Sequence, residues 1–221
     1  MWEEQSGMKK IKFGIGAVLM LCAAFISDRA EVIAIYFLAA AIHEGGHLIA
    51  AKLLKMPIKE IKVGFSGVRI CTDEGLASYK KEIVLAFAGP FANLICIGAF
   101  AALFYSLGIS FDYILASTDE FLLHGGVRLM GAAGFFTLCS GLHCLANLLP
   151  INTFDGGRIV YCSIADLISE RAAQRVIMTF TMLSSLVLWI IALYLLLKVS
   201  SGLGVFVFAA SVFFSSLKNI E

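Results

Sequence analysis

The sequence predicts an α-helical polytopic membrane protein of about six transmembrane helices, with a short β-hairpin or sheet between the second and third. Three observations carry that prediction. Of the 221 residues, 60% are hydrophobic and only 15% charged, a balance no soluble core of this size requires. The apolar residues fall in runs close to the roughly 20 needed to cross the hydrocarbon of a bilayer. The lysines and arginines gather between alternate runs, as they do where loops stay on one side of a membrane. A formal net charge of +1, with no basic stripe interleaved with aromatics, argues against a nucleic-acid partner. The six cysteines make no Cys-x-x-Cys pair and sit mostly in apolar runs. They read as small buried hydrophobes, neither a disulfide framework nor a second metal site.

The first span is Met8 to Ser27, a basic start followed by the apolar run Phe13 to Ile26. That pattern also describes a signal peptide. The exit Ser27-Asp28-Arg29 lacks a small-x-small cleavage site, which favours an uncleaved helix. The second span runs from about Val32 to Leu54, with Lys52, Lys55, Lys59 and Lys62 crowding its end. Pro57 to Tyr79 is not a span. Ile58, Ile61, Val63, Phe65, Val68 and Ile70, interrupted by lysines, Gly64, Gly67 and Arg69, suggest two short strands turning at Asp73-Glu74-Gly75. The third span is about Ile83 to Leu107, followed by a linker rich in Ser, Asp and Phe. The fourth is about Leu129 to Leu149, the fifth Val176 to Leu197, and the sixth Leu203 to Phe214. With the N-terminus inside, all of the 17 lysines and arginines except Arg29, Arg128 and Lys198 face the cytoplasm. Both termini are then cytoplasmic.

The second span carries His43-Glu44-Gly45-Gly46-His47. Residues four apart share one helix face, a turn (about 5.4 Å) apart along the axis, so both imidazoles can reach one ion. Glu44 follows the first ring and can take the proton of a water attacking a carbonyl. A short His-Glu-x-x-His pattern also arises by chance, as structural polar residues. In mid-membrane that reading is expensive. A charged side chain costs about 2.5–3.5 kcal/mol there, and each helical glycine costs about 1 kcal/mol against alanine. A metal site is the better reading. His43 lies about 14 Å below Lys52 at 1.5 Å per residue, so the site opens toward the cytoplasm. Zinc hydrolases commonly use three protein ligands and one open position. His124 lies in the external linker, on the wrong side. His143, within the fourth span, and Asp155, in Asn147-Leu148-Leu149-Pro150-Ile151-Asn152-Thr153-Phe154-Asp155-Gly156-Gly157, both stay open as the third. Pro150 stops or kinks the helix and the glycines permit a tight return, which favours Asp155.

His43-Glu44-x-x-His47 in a second span, Ala88-Gly89-Pro90-Phe91-Ala92-Asn93 in a third, and Asn147-x-x-Pro150-x-x-x-x-Asp155-Gly156 after a fourth resemble the site-2 proteases. These are intramembrane zinc metalloproteases, and the three motifs stand in family order across about Val32 to Gly157. The resemblance implies one Zn2+ held by His43, His47 and Asp155, with Glu44 as general base. It implies that Asn93 faces the cleft and steadies substrate or the developing oxyanion, and that Pro90, Asn147, Pro150 and Gly156 give structural support. His143 becomes a polar residue satisfied within the bundle.

The expectation is therefore one membrane-embedded protease domain over residues 1–221, core 32–157, without the PDZ or CBS modules of many relatives. The compact form resembles the sporulation-type branch, which releases a transcription factor from its membrane-bound precursor. Other branches cut anti-sigma factors. The partners implied are a membrane-protein substrate, the lipid bilayer and a regulatory membrane protein; the location implied is a bacterial cell membrane. The competing reading, from another class, is a catalytically inactive membrane adaptor or a metal carrier using the same ligands. A transporter would more often show broken helices repeated in two halves, and no such repeat is present.

Overall fold

A computed structural model describes residues 10–13, 30–56, 58–64, 67–72, 78–124 and 129–198. Among these are six helices and three strands. They run in the order β1 (Lys10–Phe13), α1 (Ala30–Leu53), β2 (Ile58–Gly64), β3 (Gly67–Thr72), α2 (Tyr79–Ser106), α3 (Phe111–His124), α4 (Leu129–Asn147), α5 (Asp155–Leu167) and α6 (Glu170–Lys198). Glu31–Leu53, Tyr79–Ser106, Leu129–Asn147 and Glu170–Tyr194 are long and apolar enough to cross a membrane. They match the second to fifth expected spans. Their polarity is inverted relative to a soluble bundle. Ile49, Leu53, Ile95, Leu145, Leu186 and Ile190 are exposed, while His43, His47, Asn93, Ser140, Thr181 and Ser185 are buried. Water would penalise that arrangement at every turn; hydrocarbon rewards it. The chain is a helical membrane protein.

Of the first expected span, only Lys10–Phe13 is described, and it is a strand rather than the start of a helix. The sixth span and residues 14–29 lie outside the described residues. β2 and β3 pair antiparallel as the expected hairpin, and β1 adds to β2 in parallel, giving the order β1-β2-β3. Gly64 and Gly67 pair with each other where β2 and β3 meet in sequence, and the expected turn at Asp73-Glu74-Gly75 lies outside the described residues. A two-residue connection is the shortest common hairpin link, and it lay hidden inside what reads as one alternating run. The register skips Lys59 between Ile58 and Glu60, a bulge that bends the strand.

The described chain forms two compact units. The first comprises Met1–Ala77 and Phe91–Gly141. Its core joins three helices: Ala39, Phe136 and Cys139 are buried, with Ile35, Ile42, Cys96 and Phe100 packed against them. The expected linker after the third span is helix α3. It lies so close to α4 that a Cβ on Gly131 would strike the Ser117 carbonyl and Phe121, and one on Gly134 would strike Thr118 and Ile114. Small residues at such contacts let helices approach where lipid offers no hydrophobic drive.

Two helix ends in this unit share one device. At α1, Met56 N–H donates to Ala51 O and Lys55 N–H to Lys52 O, with Lys55 at φ 54°. At α2, Ile109 N–H donates to Phe104 O and Gly108 N–H to Tyr105 O, with Gly108 at φ 66°. Both are Schellman ends, which satisfy otherwise orphaned carbonyls. Glycine suits the left-handed position; lysine takes it at a cost of about 1–2 kcal/mol.

The second unit comprises Ser78–Pro90 and Leu142–Glu221. Ile151 and Phe154 are buried against Leu149 and Leu188. At its polar end Arg158 pairs with Glu82 and the Tyr79 hydroxyl donates to Glu170. Burial pushes the Cys162 thiol above its ordinary value, partly offset by the Arg158 charge. Cys162 is a buried, space-filling group, as is the free Cys144.

Gly131→Ala should lower thermal stability in detergent by about 1–3 kcal/mol through overpacking. Gly98→Ala, where a Cβ meets nothing within 4 Å, should stabilise by up to about 1 kcal/mol from helix propensity. Paired melting curves check both.

Candidate metal centre

α1 places His43 and His47 on one buried helix face, 1% and 7% exposed. Their rings meet edge to face at 4.8 Å, and the two Nε2 atoms are 3.2 Å apart. Two nitrogens each about 2.0–2.1 Å from one tetrahedral ion stand about 3.3 Å apart. The pair thus holds the spacing a shared cation requires. Gly45 and Gly46 lie between the rings in sequence, and a Cβ on Gly45 would meet nothing within 4 Å. Glu44 is half-buried one residue after the first ring. Asn93, on α2, is fully buried, and its Nδ2 lies 3.5 Å from Nδ1 of His43.

In the second unit, α4 ends at Asn147, three residues before Pro150, and α5 begins at Asp155. The carboxylate sits in the first turn of that helix, at its positive end. The return between the two helices is tight. A Cβ on Gly156 would collide with the Leu148 and Leu149 carbonyls, and one on Gly157 with the Ile151 carbonyl. Only glycine fits either place. Asn147 donates from Nδ2 to the His143 carbonyl at 3.0 Å, so its side chain secures the last turn of α4. Pro90 is buried inside the continuous α2, and its carbonyl accepts from the Cys144 thiol at 3.6 Å.

Among the described residues, the donor atoms that could serve a metal ion are two imidazole nitrogens, of His43 and His47 in the first unit, and a carboxylate oxygen of Asp155 in the second. Two imidazole nitrogen donors and one carboxylate oxygen suit zinc. His143 belongs to no such set among the described residues, and His124 ends α3.

Residues 30–191 match the sequence profile of peptidase family M50. The chain belongs to peptidase family M50. As an M50 protein it is an intramembrane metalloprotease in general character. Its fold resembles that of the Site-2 Protease from Methanocaldococcus jannaschii, with a TM-score of 0.64 at 18% sequence identity, covering 99% of this chain and 93% of that one. No curated protein matches the sequence.

Sequence reading missed how the M50 loop bearing Asp155 is held. The Asn152 N–H donates to Oγ1 of Thr181 at 2.9 Å, and Thr181 is buried on α6. Thr181 and Ser185 are four apart, so they share one helix face. That polar pair within an apolar span was a readable signal. Thr181→Val keeps the shape and strands the Asn152 N–H. It should cost about 1–3 kcal/mol, with Thr181→Ser recovering most of it, as thermal unfolding of the detergent-solubilised protein would register.

Proposed function

We propose that this M50 chain is a zinc-dependent intramembrane endopeptidase that cuts a peptide bond in or near a transmembrane segment of a membrane-bound regulatory protein. The observation that carries the reading is the His43–His47 pair: two nitrogens at 3.2 Å, buried in an apolar helix with Glu44 between them in sequence. His43, His47 and Asp155 would hold one zinc. When bound, zinc polarises the scissile carbonyl and lowers the pKa of water. Glu44 accepts the proton of the attacking water on its carboxylate and hands it to the amide nitrogen as that bond breaks. Pro90, Asn147, Pro150 and Gly156 fix the helices and the return that carry these groups.

A transmembrane substrate hides its carbonyls in its own helical hydrogen bonds, which lipid does not replace. The substrate must therefore unwind first. In β1-β2-β3 the outer strands each have one edge without a strand partner among the described residues, and an extended substrate can add there by main-chain hydrogen bonds. Residues 1–221 act as a single protease domain, with both termini and the mouth of the site on the cytoplasmic side of a bacterial membrane. The substrate class is a tethered regulator, such as a transcription-factor precursor in sporulation or an anti-sigma factor, and a membrane partner governs the timing.

Glu44→Gln should reduce cleavage of a transmembrane substrate at least about 10²-fold while zinc, measured by metal analysis of the purified protein, stays bound. His47→Ala and Asp155→Ala should lose both. Cleavage by the Gln variant removes Glu44 as base; zinc binding with no cleavage by the wild-type chain favours a carrier or adaptor.

A further inference from the structure

Asn93 has no solvent exposure, and its carboxamide oxygen is buried with no hydrogen-bond partner. Leaving such an acceptor stranded is costly, so its surroundings have a use for it. The neighbour on its other arm is Nδ1 of His43, 3.5 Å from Nδ2. In that orientation Asn93 donates to Nδ1. The imidazole proton then sits on Nε2, where it donates to Nε2 of His47 across 3.2 Å. A cation on the paired Nε2 atoms requires the opposite tautomer, with the proton on Nδ1 and the Nε2 lone pair free. That Nδ1–H needs an acceptor beside it. A half-turn of the Asn93 carboxamide supplies one, because its oxygen and nitrogen are nearly interchangeable in shape.

We infer that Asn93 is a positioning residue for His43, selecting the metal-binding tautomer by accepting a hydrogen bond from Nδ1 through its own Oδ1. This rests on the zinc-site reading above and assigns Asn93 to the ligand rather than to the substrate. A residue steadying an oxyanion must aim an N–H donor at the substrate; here the carboxamide is fully enclosed, and one of its two arms is given to the ring in either orientation. The acceptor is what matters, so a carboxylate should serve as well as an amide. Carboxylates are common partners for the far nitrogen of zinc-bound histidines.

Two variants of the full chain, purified in detergent, separate the roles. Zinc affinity is read by competition with a chelator, and the ligand field by the visible spectrum of the cobalt-substituted protein. Asn93→Leu should weaken zinc by about 10–100-fold and alter the cobalt spectrum. Asn93→Asp should restore zinc affinity, the spectrum and most of the turnover. Zinc affinity unchanged in the Leu variant overturns the inference. So does an Asp variant that binds zinc normally but cannot cleave, since that pattern assigns Asn93 to the oxyanion. Each variant decides independently if the other fails to fold. A wild-type chain that binds no zinc overturns the metalloprotease reading along with this one, whereas normal wild-type binding with an indifferent Leu variant overturns this one alone.

Discussion

Lipid accepts no hydrogen bond, so each polar group carried into the span must find its partner inside the protein. That constraint orders the whole molecule. It turns the helices outward with leucine and isoleucine and inward with histidine, asparagine, serine and threonine. It also bears on the buried His43–His47 pair. The two imidazoles present their Nε2 atoms to each other at 3.2 Å, a spacing that suits a shared ion.

The same constraint governs how helices stop and approach. The Schellman ends of α1 and α2 close carbonyls that lipid or a crowded loop would leave open. Pro90 forgoes one N–H in the middle of α2, yet the helix continues through it. Glycines are placed where backbones nearly touch. Gly131 and Gly134 seat α3, and Gly156 and Gly157 let the chain fold back on itself before Asp155 acts as the first residue of α5. Thr181 then braces that return from a separate helix. The second unit holds its acid with as much care as the first holds its rings.

Much of this was legible in the residues. Apolar run length located four spans to within a few positions, because in a bilayer length and hydropathy are themselves the folding constraint. The spacing of His43 and His47 announced a shared face because a helix has a fixed period. Less was legible where tertiary contact decides. Phe111–His124 reads as a linker rich in Ser, Asp and Phe, and its helix packs against Gly131 and Gly134 of α4. The hairpin reversal at Gly64–Gly67 lay inside an alternating run, where the pleat gives no mark of a turn. The parallel partnership of Lys10–Phe13 with β2 joins segments some fifty residues apart, and no local pattern encodes it. The contact between Asn93 and His43 belongs to the same class: the motif named both residues without saying that they meet.

The lysine that ends α1 has a consequence for the evolution of this protein. Lys55 halts the helix about 12 Å beyond His47 at 1.5 Å per residue, and β2 leaves from that point. The stop acts as a phase marker. One residue gained or lost between the rings and the stop would swing the departing strand by about 100° around the axis and change its depth by about 1.5 Å. Point substitutions at the exposed Leu48, Ile49 and Leu53 can therefore drift among apolar types, while buried Ala50 and Ala51 and the length of the stretch are held.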